Sequence, residues 1–128
     1  MTEKEKPQKT YDLEERTFVF ARDVRAFVKN LHMTVANMED AKQLVRASGS
    51  VGANYIEAND SLSKKDFILR IKICRKEAKE SRYWLRLMDV HDALEPDRKY
   101  LMREAGELMN IFGAILNKAN SKSEGRNP

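Results

Sequence analysis

The chain has 128 residues and a formal charge of +4, and it is 41% hydrophobic and 34% charged, with five glycines and three prolines. That length suits a single domain with a real core, and a composition rich in helix formers and poor in breakers predicts an all-α fold. No apolar run approaches the roughly 18 residues of a membrane span, Cys74 is the single cysteine, and the charged stretch MTEKEKPQKT lacks the apolar core of a secretory signal, so a cytoplasmic, reducing setting with no membrane partner is expected.

Residues 1–10 are polar, contain Pro7 and show no periodicity, which predicts a disordered tail. A first helix is expected to begin between Tyr11 and Leu13. Leu13, Thr17, Phe20, Val24, Phe27 and Leu31 recur at alternating four- and three-residue spacing, the mark of a helix with one buried face. Phe18, Val19 and Ala21 are expected to widen that face. After a connection at 32–36, Asn37 suits a helix N-cap, with Glu39 and Asp40 in the positive first turn. The second helix should run to about Ala58 with Ala41, Leu44, Ser48, Val51, Tyr55 and Ala58 on its seam. A neighbouring stripe of Ala47, Ser50, Asn54 and Glu57 is small and polar. Gly49 and Gly52 each cost about 1 kcal/mol relative to Ala inside a helix, so close approach of a neighbouring element is expected there.

Ser63, with Asp66 three residues later, has the form of a capping box. From here to Leu94 one long helix is predicted, with three faces. Phe67, Ile71, Cys74, Ala78, Ser81, Leu85 and Met88 form a core seam, where Cys74 acts as a small buried hydrophobe. Lys65, Lys72, Arg75, Lys79, Arg82 and Arg86 fall on one continuous basic face at about 100° per residue. Ile73, Glu77, Glu80, Trp84 and Leu87 form a third strip, in which the off-seam Ile73, Trp84 and Leu87 are candidates for a subunit interface. Between Lys64 and Arg86 there are nine basic residues against three acids, a local charge of +6, which leaves −2 for the rest of the chain.

Glu95-Pro96-Asp97 is a stop and restart, with Pro96 tolerated in a first helical turn. In the fourth helix Leu101, Ala105, Leu108, Phe112 and Ile115 form the seam, Met102, Met109 and Leu116 broaden it, and residues 120–128 are expected to be a disordered tail. Four amphipathic helices with short connections, spanning 11–119, predict an antiparallel up-down-up-down four-helix bundle.

No catalytic, cofactor or metal site is predicted. There is no phosphate-binding loop. His32 and His91 have no ligand partner at helical spacing, and Glu57, Glu77 and Glu80 lack a nucleophile or a histidine base, so pairing with Arg46, Arg70 or Arg75 is the expected use of these acids. The basic stripe can neutralise phosphates without reading sequence, and Tyr83, near this face, can stack on a base. It can equally be a solvated face that keeps the protein soluble.

The stretch LVRASGSVGANYIEANDSLSKKDFILRIKICRKEAKES resembles the signature of the four-helix-bundle proteins encoded in intervening sequences of 23S rRNA genes. The resembling positions are Arg46-Ala47, Ser50, Asn54, Glu57-Ala58, Ser63, Asp66-Phe67, Ala78 and Ser81, with Glu77 or Glu80. Asn54-Tyr55-Ile56-Glu57-Ala58 stands where the commoner form is Asn-Ile-Ala-Glu-Gly. The resemblance implies a bacterial, pentameric homo-oligomer, similar in fold to accessory proteins of diversity-generating retroelements, which bind nucleic acid through basic surfaces. Arg46, Ser50, Asn54 and Glu57 are expected to face inward as structural polar groups between helices 2 and 3, with Arg46 and Glu57 each finding a partner. The leading expectation is a non-enzymatic protein that binds RNA or nucleoprotein through Lys65, Lys72, Arg75, Lys79, Arg82 and Arg86. The alternative is a protein–protein scaffold without nucleic-acid contact.

Overall fold

In the computed structural model, which describes residues 12–125 and their side chains through Ser121, the chain forms four α-helices. They are α1 (Leu13–Lys29), α2 (Val35–Asn59), α3 (Lys64–Leu87) and α4 (Glu95–Gly125), with a single 3-10 turn at Asp92–Leu94. The expected tail at 1–10 lies outside the described residues. The expected C-terminal tail is corrected in part, because α4 continues as helix to Gly125.

The starts of the helices follow from their caps. The Asp12 carboxylate accepts from the Glu15 N–H at 3.2 Å, and the Ser63 hydroxyl accepts from the Asp66 N–H at 3.1 Å. Helix α2 starts earlier than its sequence suggests. Thr34 is the cap, its Oγ1 accepting from the Asn37 N–H at 3.1 Å. Asn37 is therefore inside the helix and only 1% exposed. Its side-chain amide donates to the carbonyls of His32 and Asp89, at 2.9 and 2.8 Å, and accepts from the Asp89 N–H at 3.1 Å. One buried side chain thus ties the α1–α2 connection to the segment that follows α3.

That tie helps to explain the second correction, which is that α3 stops at Leu87 rather than Leu94. Met88 turns extended. The Arg98 guanidinium of α4 donates to the carbonyls of Leu85, Arg86 and Met88 and is held by Glu95 at 2.8 Å. Carbonyls at a helix end need outside donors. Here an arginine from the next helix supplies them, so the chain can leave the helix without orphaned groups.

Cross-helix contacts give the topology. Thr17 lies against Gly52 and Arg25 against Gly49; Asn54 bonds Arg70, and the Cys74 thiol reaches the Val51 carbonyl at 3.4 Å. Arg82 lies beside Gly106 and Arg75 beside Gly113, and Arg16 pairs with Glu104 and Glu107. In each neighbouring pair with two such contacts, the residue numbers run in opposite directions. Consecutive helices are therefore antiparallel, and α1 closes the bundle against α4. The pairing of Arg16 with two carboxylates raises its already high pKa.

The core is the one that the spacing predicts. Leu13, Phe20, Val24, Phe27, Leu44, Val51, Ile71, Cys74, Ala78, Leu85, Leu101, Leu108 and Phe112 are buried, and each large aliphatic or aromatic side chain contributes about 1.5–3 kcal/mol by leaving water. At the end of the α4 seam Leu116 is buried, and Ile115 is partly buried against the core. Phe18, expected to widen the α1 stripe, is instead 59% exposed. Burial pushes the Cys74 thiol up to about 12, the state of a packing group rather than a nucleophile. The small residues of α2 are also explained. A Cβ at Gly52 would sit 2.9 Å from Thr17 Oγ1, and one at Gly49 would sit 3.2 Å from an Arg25 guanidinium nitrogen, so the glycines admit α1 to close range.

Candidate nucleic-acid interface

Helix α3 packs between α2 and α4, and the two flanks that remain differ in kind. On the α4 side, Lys65, Lys72, Arg75, Lys79, Arg82 and Arg86 are all exposed. Among the described residues none of them forms an ion pair. Their 3.6-residue periodicity makes them one row, about 21 Å long from Lys72 to Arg86. The acids of α3, namely Asp66, Glu77 and Glu80, fall on the other flank by the same periodicity.

Helix α4 shapes the border of this row. Gly106 and Gly113 are seven residues apart, on one side of the helix. Cβ atoms placed there would lie 3.8 Å from the Arg82 and Arg75 Nε atoms. These two arginines therefore lie against the backbone of α4 instead of projecting freely. Two turns before Gly106, on nearly the same line, is Lys99, with Arg103 beside it; both are exposed. The carboxylates of α4 sit elsewhere. Glu104 and Glu107 turn to Arg16 of α1, and Glu95 is held by Arg98, which keeps its carboxyl below the usual range. The spacing within α3 revealed the row, but the contribution of α4 escaped it. The available signal was a pair of glycines at heptad spacing in an otherwise regular helix.

The α2 flank is organised by pairing and burial. Asn54 donates to the Ser50 carbonyl and hydroxyl at 2.9 and 3.0 Å, and its oxygen accepts from Arg70 at 2.9 Å. Ser50 and Asn54 thus link α2 to α3. Arg46 and Glu57 do not. Both are exposed, and the recorded contact of Arg46 is a 3.5 Å bond to Gln43 on its own helix. The expectation that they face inward fails because the helical period turns them roughly 60–80° around the α2 axis from Asn54, which meets α3, and so toward solvent. Nor does Arg70 pair with a carboxylate; its partner is the Asn54 amide oxygen.

Ile73 and Trp84 are half-buried on this flank, and Leu87 is 50% exposed. Trp84 stacks edge-on with Tyr83 at 5.1 Å. Glu77 is only 7% exposed, and its Oε1 and the Trp84 Nε1 are both buried without a hydrogen-bond partner. Among the described residues no group of three His, Cys, Asp or Glu side chains could hold a metal ion, and no helix is long and apolar enough to cross a membrane. His32 and His91 are exposed, on the two connections that Asn37 joins.

The model of the 23S rRNA-intervening sequence proteins matches residues 9–114. The chain belongs to that family. A similar solved structure is that of a protein with unknown function from the S23 ribosomal protein family of Bacteroides thetaiotaomicron. The two chains are 27% identical, the match covers 81% of this chain and 97% of that one, and the TM-score is 0.65. Comparison with curated proteins gives no match.

Proposed function

We propose that this member of the intervening-sequence protein family is a non-enzymatic, cytoplasmic protein that binds RNA or nucleoprotein through the basic face of α3. The observation that carries this reading is the row Lys65, Lys72, Arg75, Lys79, Arg82 and Arg86, exposed and without ion pairs among the described residues. Like charges held side by side repel, and proximity to phosphate offsets that cost while releasing counterions. A neighbour named for a ribosomal protein family supports RNA as the class of partner. The test is a titration of a structured RNA across salt concentrations with the parent protein and with Lys72, Arg75, Lys79 and Arg82 all changed to Glu. Binding that weakens with salt and vanishes in the variant is expected. Absence of binding by the parent, or equal binding by the variant, overturns the proposal.

Self-association is a second part of the reading, supported by the α2 flank. Ile73 and Trp84, both half-buried, and Leu87, 50% exposed, present apolar surface there. Apolar surface of this kind is stabilised when a second copy of the chain covers it. The family resemblance points to a pentamer. Light scattering at micromolar concentration is expected to give a multiple of 14.8 kDa, reduced by Trp84→Glu. A monomer in the parent protein refutes this part. If the Lys72, Arg75, Lys79 and Arg82 charge reversal instead dissolves the oligomer, the scaffold reading, with the row serving as intersubunit ion pairs, takes its place.

A further inference from the structure

We infer that the face formed by α3 and α4 takes the phosphate backbone of a nucleic-acid duplex rather than a single strand; this rests on the proposed role of the basic row and specifies its ligand. The first ground is shape. Lys72, Arg75, Lys79, Arg82 and Arg86 rise in steps of three and four residues along one straight helix. The row is about 21 Å long, which matches about six base-pair steps of a duplex at 3.4 Å each. Its arginines are braced. Arg75 and Arg82 lie over Gly113 and Gly106, and a stiff row of charges suits a stiff partner better than a flexible one.

The second ground is the shoulder beside the row. Along α4 the side facing the row carries Lys99, Arg103, Gly106, Asn110, Gly113 and Asn117. The carboxylate on this line, Glu95, is taken up by Arg98, and toward Asn117 the side chains are short, so a cylinder can lie along the seam with cations on both sides of its contact line.

The third ground is the chemistry missing from this face. Single-strand binders offer exposed aromatic rings on which bases stack. Among the described residues the exposed aromatics are Phe18, Tyr83 and Tyr100. Phe18 is on α1. Tyr83 is edge-on against Trp84, at the margin toward the acidic flank. Tyr100 is on the α1 side of α4, where partial burial, together with Glu104, Asp23 and Glu107, raises its pKa. The face therefore offers charge and amide donors and, at its edge, the single ring of Tyr83, where a single-strand binder sets out rings for successive bases; this suits phosphates whose bases are already paired.

Fluorescence anisotropy with a 20-base-pair RNA duplex, the same sequence as DNA duplex, and an unstructured single strand of equal length tests the inference. A duplex is expected to bind about tenfold or more tightly than the single strand. Five phosphate contacts predict a slope near −4.5 for log affinity against log salt. The two duplex arms distinguish RNA from DNA as the source of the backbone, and either one bound in preference to the single strand supports the inference. Asn110→Glu with Asn117→Glu is expected to weaken duplex binding about tenfold by placing acids on the shoulder. Single-strand binding equal to or tighter than both duplexes overturns the inference and leaves the proposed function standing, as does an α4 double variant with full duplex affinity. Failure of all three probes to bind overturns the proposed function itself.

Discussion

The two flanks of α3 use similar side chains to opposite ends. Toward α2, polar groups are consumed within the bundle. Asn54 is shared between Ser50 and Arg70, Cys74 reaches Val51, and Asn37 holds both connections at one end. Toward α4, cations are lined up and left to solvent, with glycines rather than acids opposite them. A bundle needs the first arrangement to specify its packing. It has no structural need for the second, and for that reason the α4 flank is the better candidate for a binding surface. The comparison also predicts that stability and binding separate cleanly between the flanks.

Four measurements sharpen or break that separation. The largest effect is expected from charge reversal of Lys72, Arg75, Lys79 and Arg82. Loss of four phosphate contacts at about 0.15 M salt predicts a roughly thousandfold weaker RNA affinity, with the thermal midpoint almost unchanged. A large fall in stability would mean that the row is structural. Next comes Asn37→Ala, which removes three hydrogen bonds and leaves their backbone partners buried. Chemical denaturation should show a loss of about 3 kcal/mol, with RNA affinity per folded molecule retained. Asn54→Ala should cost about 1–2 kcal/mol by freeing Arg70 from its partner. On the α4 flank Gly113→Ala has room for its methyl group, 3.8 Å from Arg75, and should stabilise by about 0.5–1 kcal/mol.

A titration probes the α2 flank at its centre. The ordinary thiol value of 9.0 rises to about 12 for Cys74 because burial disfavours the thiolate. A raised folded-state value means that the contribution to stability is complete below the unfolded value and is lost as pH climbs from about 9 toward 12. At pH 8 a thiol reagent should label Cys74 only at the rate of opening. Immediate labelling in the folded protein would show that the seam is loose.

Much of this was legible in the chain. The alternation of four and three residues located the seams of all four helices, because helical periodicity is a local property of the backbone. The same arithmetic aligned Lys65 to Arg86 on one face and placed Cys74 on the seam, and the small residues at Gly49 and Gly52 announced close packing. What escaped was set by contacts between residues distant in sequence. The capping signal at Asn37 was genuine chemistry assigned to the wrong role, since an Asn that can cap a helix can also bridge two connections. The run from Ser63 to Leu94 looks continuous because nothing within it is a breaker; Arg98 and Asn37 end the helix from outside.

By itself, then, the sequence determined the all-α class, the faces of each helix, the local excess of positive charge and the kinship to the intervening-sequence proteins. Only the tertiary structure decided what borders each face. It sent Arg46 and Glu57 outward, set Ser50 and Asn54 against Arg70, and laid Arg75 and Arg82 along the glycines of α4. The physical reason is that periodicity fixes the angle of a side chain around its own axis, whereas the neighbour at that angle depends on how the helices dock.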